Sequence, residues 1–305
     1  MKISDITNNY KPTQITKNAF ISTGINDVDA LTGNLSAGDI MVVSGACKTA
    51  FCVATALHSA MHNKTKVLYL TSSNPSLVTR RLISAYSKEP LSTDVSYFKG
   101  DQANASIRSA ITKLDDLPLY IEPTEGTETI EMDDIANPCK LEELLQHYAY
   151  VEPSEETKGM DPLEVFTRDI SPWLLIIDSI DSIYQYYPVI KGNSSKGSEV
   201  LFQYLKKLKG MVNKHHAAVI ISASGQYTED GSGHQTMTNE LAFCAPLAKS
   251  LLLLNFEPDY PDNRKVQLSV LKNADGLSGA YTLGWNRRIA MIENLTSSPP
   301  VANKQ

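Results

Sequence analysis

The hydrophobic positions along this chain alternate between short uninterrupted apolar runs and longer amphipathic stretches. The runs have the length of buried strands and lie at 40–43, 66–72, 118–123, 172–180, 217–224, 249–258 and 265–273. Between them, apolar residues recur every three or four positions, as in helices, over 20–31, 50–63, 74–87, 105–117 and 198–216. Strands that alternate with helices predict an α/β fold with a mainly parallel sheet covered by helices on both faces.

The chain ends suggest how the domain is bounded. The last two strand patterns, joined by a polar turn, and a hairpin pattern over 279–294 predict an antiparallel extension at one edge of the sheet. We therefore predict one domain over 20–296, preceded by a polar arm (1–19) and followed by a disordered tail (297–305). Asn74 and Pro75 are the predicted N-cap and first residue of one helix.

Charge is distributed unevenly over the chain. The net charge is −6, but residues 122–172 alone carry 14 acidic and 3 basic residues, which leaves the rest of the chain mildly basic. We predict that this acidic segment is a surface excursion, part helix (139–151) and part loop. No apolar run approaches the roughly 20 residues of a membrane helix, and no signal-peptide pattern begins the chain, so we expect a cytoplasmic protein without a membrane partner.

The order strand, glycine loop, Lys-Thr and helix occurs once, around residue 45. Gly45 stands three residues before Lys48, whereas the phosphate loop G-x-x-x-x-G-K-[ST] places its first glycine six residues before the lysine. The loop is thus about three residues short, and Cys47 replaces the second glycine, where a Cβ disfavours positive φ. A helix start, Lys48 and Thr49 could still hold a phosphate weakly. The alternative is an ordinary strand-to-helix turn with a solvated lysine.

Five patches resemble the ATPase cores of the bacterial RadA/Sms recombination proteins and the DnaB-type replicative helicases. They are ISTGINDVDALTGNLSAGDIMVVSGACKT (21–49), VLYLTSSNPSLVTRRL (67–82), LLIIDSIDSIY (174–184), GQYTEDG (225–231) and VLKNADG (270–276). The third patch resembles a Walker B strand. The resemblance implies a RecA-like fold and a site for ATP and Mg²⁺.

Residue by residue, the resemblance implies a vestigial nucleotide site. It comprises Gly45, Lys48, Thr49, Asp178, Gln226 and Lys272. Asp178 would be the carboxylate linked to Mg²⁺, Gln226 the sensor of the terminal phosphate, and Lys272 a contact to a neighbouring subunit's nucleotide. The alternatives are a turn aspartate, a loop amide and a solvated lysine. We interpret Trp173 and Trp285 as packing residues.

Departures from those families all affect hydrolysis. The resemblance would place a water-activating glutamate after the second strand, but this chain has Ser72-Ser73-Asn74. It would place an arginine two residues after Lys272, but Ala274 is there. No catalytic residue is therefore assigned.

The sequence predicts a RecA-fold protein that acts in DNA replication, recombination or repair by binding rather than by turnover. Its expected partners are DNA, in particular single strands, and an active relative or further copies of itself in a ring-type assembly. One alternative is an active DNA translocase in which Glu122 or Glu125 replaces the missing base. Another is a KaiC-like regulatory protein without a DNA role.

Overall fold

The computed structural model describes twelve stretches of the chain, and all that follows refers to them. They are 20–62, 65–90, 105–123, 141–144, 147, 173–181, 194–225, 227–229, 235–237, 239–256, 265–274 and 278–294. The predicted arm, the tail and most of the acidic segment lie outside these stretches.

The described elements alternate between strands and helices for most of the chain. The helices are α1 (Asn26–Thr32), α2 (Lys48–His62), α3 (Pro75–Ser87), α4 (Ala105–Asp115), α5 (Ser194–Lys214) and α6 (Asn239–Cys244). The strands are β1 (Ile40–Gly45), β2 (Lys66–Thr71), β3 (Leu119–Pro123), β4 (Trp173–Asp178), β5 (Ala217–Ala223), β6 (Tyr227–Glu229), β7 (Gln235–Met237), β8 (Ser250–Phe256), β9 (Lys265–Asn273), β10 (Gly279–Asn286) and β11 (Met291–Glu293).

Nine strands form one sheet in the order β11-β10-β9-β8-β1-β5-β4-β2-β3. The six strands from β8 to β3 are parallel, and β9, β10 and β11 extend the sheet as antiparallel neighbours. The predicted parallel sheet and its antiparallel extension are both confirmed. The strands read as uninterrupted apolar runs because helices cover both faces, so residues of either parity are buried.

The core has one layer on each face of the sheet. Met41 and Val43 of β1 pack in the layer that holds α2 and α3, whereas Ile40 and Val42 pack in the layer that holds α5 and α6. Successive residues of a strand point to opposite faces, so a single strand contributes to both layers. All four side chains are at most 1% exposed.

Local signals place α3 as predicted. The Asn74 Oδ1 atom accepts a hydrogen bond of 2.8 Å from the backbone N–H of Ser76, and Pro75 is the first helical residue. The sequence did not predict the β6–β7 hairpin or α6. Strands of three residues and a helix of six are too short to produce a hydrophobic period.

The acidic segment is not wholly a surface excursion. Leu141 is fully buried in the core layer of α5. Beside it, the Glu142 carboxylate accepts a hydrogen bond from Lys214 Nζ at 2.6 Å and lies 2.8 Å from His215 Nε2. The described part of this segment, 141–144 and 147, is thus docked on the end of α5 by one apolar and two polar contacts.

Candidate phosphate-binding site

The carboxyl ends of β1, β5 and β4 meet at one edge of the sheet, where α2 begins. The register aligns Ser44 with Ala223, and Ser222 with Asp178. Parallel strands end at a common edge, so polar residues at their ends converge there. This convergence brings Gly45, Lys48, Thr49 and Asp178 together, as predicted from the resemblance.

The loop between β1 and α2 is only two residues long. Ala46 and Cys47 form a turn, and Lys48 is the first residue of α2. Gly45 has φ 91°, and a Cβ there would collide with the Leu254 carbonyl oxygen of β8. That carbonyl accepts a 2.7 Å hydrogen bond from the Ala46 N–H. The amide that begins the phosphate cradle is therefore bonded to the neighbouring strand.

Cys47 has φ 60° although it carries a Cβ. The expectation that the Cβ would keep this residue out of positive φ is wrong, because a two-residue turn leaves the chain no other way to enter α2. A non-glycine residue in this region carries strain of about 1–2 kcal/mol. Burial raises the pKa of the Cys47 thiol to about 11, and the nearby Arg81 lowers it in part.

Lys48 is engaged by two groups of the protein itself. Its Nζ atom lies 3.0 Å from Asp181 Oδ2 and 2.7 Å from Ser224 Oγ. The side chains of Lys48 and Asp181 are only 20% and 16% exposed. In a phosphate loop this ammonium reaches the β- and γ-phosphates; here a carboxylate occupies the corresponding role.

Asp181 is a site residue that the sequence analysis missed. Burial alone raises the pKa of its carboxyl, but hydrogen bonds from the Ser224 hydroxyl and N–H, the Lys48 charge and the Ser179 hydroxyl bring the net value below the ordinary 3.8. The side chain is thus an anion at neutral pH. Its signal was its place one helical step beyond Asp178, at the end of the same apolar strand.

Asp178 ends β4 in a nest of hydroxyl groups. Its Oδ2 atom accepts a 2.7 Å hydrogen bond from Tyr69, and Oδ1 accepts bonds from Ser222 at 2.5 Å and Thr49 at 3.3 Å. Burial, followed by the Asp178 charge, raises the pKa of Tyr69 well above its ordinary value, so the phenol stays a donor.

The end of β2 supplies no carboxylate. Ser72 donates its N–H to the Asp178 carbonyl at 2.8 Å, and the Asn74 side chain caps α3. Glu122, the alternative base, lies on edge strand β3, with β2, β4 and β5 between it and β1. At ~4.8 Å per strand this separation is about 19 Å, which argues against a role at the loop. Glu125 lies outside the described residues.

The two remaining predicted residues do not join the cluster. Lys272 of β9 pairs with Leu251, which is level with Val42 rather than with the loop. Its Nζ atom donates to the carbonyl oxygens of Ala245 and Pro246 just beyond α6, at 2.9 and 3.3 Å. A contact from Lys272 to another subunit stays a prediction. Gln226 lies outside the described residues.

A pocket of about 390 Å³ opens beside the loop. Its lining comprises Gly45, Cys47, Lys48, Thr49, Ala50, Arg81, Trp285 and Ala290. Arg81 and Trp285 were not predicted as site residues. Trp285 is half-buried here, and its ring meets Phe256 edge-on at 6.2 Å, so it packs as predicted and also faces the pocket.

The residues present fit a phosphate better than they fit Mg²⁺. Both oxygens of Asp178 already accept hydrogen bonds, and the residue is 5% exposed. Within the described stretches, no three His, Cys, Asp or Glu side chains are arranged to hold a metal ion. Asp178 could therefore bind the cation only if the Thr49 or Ser222 hydroxyl turned away.

Comparisons with known proteins agree on the kind of domain. The family model of the DnaB-like helicase C-terminal domain matches residues 20–147. A solved structure of a separate ATPase domain superposes with a TM-score of 0.68 at 14% identity, over 96% of this chain and 98% of that one. A DnaB-like replicative helicase, solved in a study of its interactions with primase, gives 0.67 at 14%, over 97% of this chain and 67% of that one.

A recombinase gives a further match of the same kind. The RadB recombinase superposes with a TM-score of 0.54 at 16% identity, over 90% of this chain and all of that one. No curated protein sequence matches the chain. The RecA-like fold and the resemblance to DnaB-type ATPase domains are thus confirmed. None of the helices in the described stretches is long and apolar enough to cross a membrane.

Proposed function

We propose that this chain is a RecA-fold component of DNA replication, recombination or repair that acts by binding and does not hydrolyse ATP. The observation that carries the proposal is the internal engagement of the phosphate loop. The Ala46 amide is bonded to Leu254, and the Lys48 ammonium is paired with Asp181. A triphosphate would have to displace both partners to be gripped there.

The second support is the absence of hydrolytic groups where the relatives' pattern places them. Ser72, Ser73 and Asn74 follow β2, so no carboxylate polarises a water there. Ala274 stands where an arginine would stabilise the transition state in a neighbouring subunit. Loss of such groups typically lowers rates by on the order of 10²–10⁵ each.

Binding partners follow from the resemblance. The mildly basic body outside the acidic segment favours single-stranded DNA, and the fold suits a ring-type assembly with itself or with an active relative. Asp178, with Thr49, would hold Mg²⁺ if a nucleotide carried it in, and the cation would neutralise phosphate charge.

ATP hydrolysis by the purified full chain, with and without single-stranded DNA, tests the proposal. The wild-type rate should equal that of Lys48→Ala and should not rise with DNA. DNA binding, measured by fluorescence anisotropy, should weaken as salt rises, because the contacts are to phosphates.

The active translocase stays the second candidate, favoured by the Thr49–Asp178 contact of 3.3 Å. DNA-stimulated hydrolysis that Lys48→Ala abolishes would establish it in place of our proposal. Failure to bind DNA, with assembly intact, would favour the KaiC-like regulatory alternative.

A further inference from the structure

We infer that the pocket beside the loop binds a nucleoside monophosphate, with the base stacked on Trp285 and the single phosphate held by Arg81 and the first amides of α2. The inference rests on the proposed function, since a site without hydrolysis is free to hold a ligand other than a triphosphate. Three independent features of the pocket support it.

The first feature is an aromatic wall. Strand β10 is antiparallel to β9, which is antiparallel to β8, so β10 runs in the direction of β1 and ends at the same edge of the sheet. Trp285 near its end therefore faces the loop across the pocket. Phe256, at the end of β8, meets the indole edge-on and fixes its orientation. A base can stack on such a half-buried indole.

The second feature is a buried guanidinium donor without a hydrogen-bond partner. The Nε atom of Arg81 is buried and has no such partner among the described residues. Its neighbour Arg80 differs, because its Nε atom donates to the Ser76 carbonyl. A buried unpaired donor needs an explanation, and a planar guanidinium suits a phosphate. Arg81 lines the pocket together with Thr49 and Ala50 at the start of α2.

The third feature is the room and the number of donors. Ligand pockets span roughly 300–1,000 Å³, so one of about 390 Å³ suits a small ligand. The groups that would hold the second and third phosphates are the Ala46 amide and Lys48, and both are engaged within the protein. One phosphate anchor therefore remains, at Arg81 and the helix start.

Tryptophan fluorescence of the full chain tests the inference. Of the two tryptophans, Trp173 is 5% exposed within β4, so a ligand at the pocket reports through Trp285. Adenosine monophosphate should quench saturably. Ribose 5-phosphate should bind at least about tenfold more weakly because it has no base to stack, and adenosine triphosphate should bind no more tightly than the monophosphate.

The matched variants are adjacent on one helix. Arg81→Ala should weaken monophosphate binding by about tenfold or more, and Arg80→Ala should leave it unchanged. Arg81→Lys, which keeps the charge but loses the fork, should give an intermediate loss and serves if Arg81→Ala does not fold by circular dichroism. Trp285→Ala should weaken binding by about tenfold, whereas Phe202→Ala, an exposed aromatic on α5, should not.

Four results would overturn the inference: no monophosphate binding, equal affinity for ribose 5-phosphate, equal losses in the two arginine variants, or triphosphate binding more than about tenfold tighter. These results are separable from the proposed function. A chain that binds DNA without hydrolysis but ignores the monophosphate loses only the inference. A chain that binds the monophosphate yet hydrolyses ATP loses only the proposed function.

Discussion

The carboxyl ends of β1 and β4 lie at the same edge of the sheet with only β5 between them, and they differ in how their polar groups are engaged. At the end of β4, Asp178 is surrounded by hydroxyls, which can turn toward a ligand or cation. At the end of β1, the Ala46 amide is bonded to backbone and Lys48 to a carboxylate. A residue type retained in a motif is therefore not the same as a group available for binding.

The largest expected effect concerns how tightly the β1 end is closed. Gly45→Ala adds a Cβ that meets the Leu254 carbonyl at φ 91°, so we expect a loss of about 3 kcal/mol in the free energy of unfolding. Gly33→Ala is the control: its φ is 72° and its surroundings are open, so only the conformational cost of about 1 kcal/mol applies. Urea unfolding compares the two, and equal losses would mean that β8 does not close the loop.

The next effect tests the hydroxyl nest at the β4 end. Tyr69→Phe removes a donor from the buried Asp178 carboxylate and should lower the free energy of unfolding by about 2 kcal/mol. Tyr86→Phe, a half-buried tyrosine on α3, should change it by less than about 0.5 kcal/mol. Thermal and urea unfolding give the difference, and a neutral Tyr69→Phe would argue against an ionised Asp178.

A smaller effect separates the ion pair from the nest by its pH dependence. Asp181→Asn should lower the free energy of unfolding by about 1 kcal/mol at neutral pH, since the pair is partly exposed. The folded-state pKa of Asp181 is below 3.8, so its stabilisation is present above that value and disappears as pH falls through the lower one. Wild type and variant should therefore converge between about pH 4 and pH 2. A gap that persists at the lowest pH would assign the loss to packing.

The smallest effect concerns Cys47. Cys47→Gly removes the Cβ from a residue at φ 60° and should raise the free energy of unfolding by roughly 0.5 kcal/mol, because relief of strain exceeds the added freedom of the unfolded chain. Cys52→Gly, within α2, should instead be destabilising. If Cys47→Gly is also destabilising, the turn is not strained.

The sequence was sufficient for the parts of this structure that depend on local pattern. The uninterrupted runs at β1, β2, β4 and β5 predicted a parallel sheet, and the Lys48–Thr49 pair predicted where α2 begins. The partner of Lys48 could not be predicted, because Asp181 and Ser224 come from two different strand ends that only the sheet order brings together. The position of Trp285 depended likewise on the direction of β10.

The central claim is that the phosphate loop is engaged by the protein itself and does not grip a triphosphate. Calorimetric titration of the full chain with ATP, with and without Mg²⁺, tests it most directly when wild type is compared with Asp181→Asn, which frees Lys48. We predict wild-type binding weaker than roughly 100 μM and tighter binding in Asp181→Asn. Wild-type affinity near 1 μM or better, unchanged by Asp181→Asn, would contradict it.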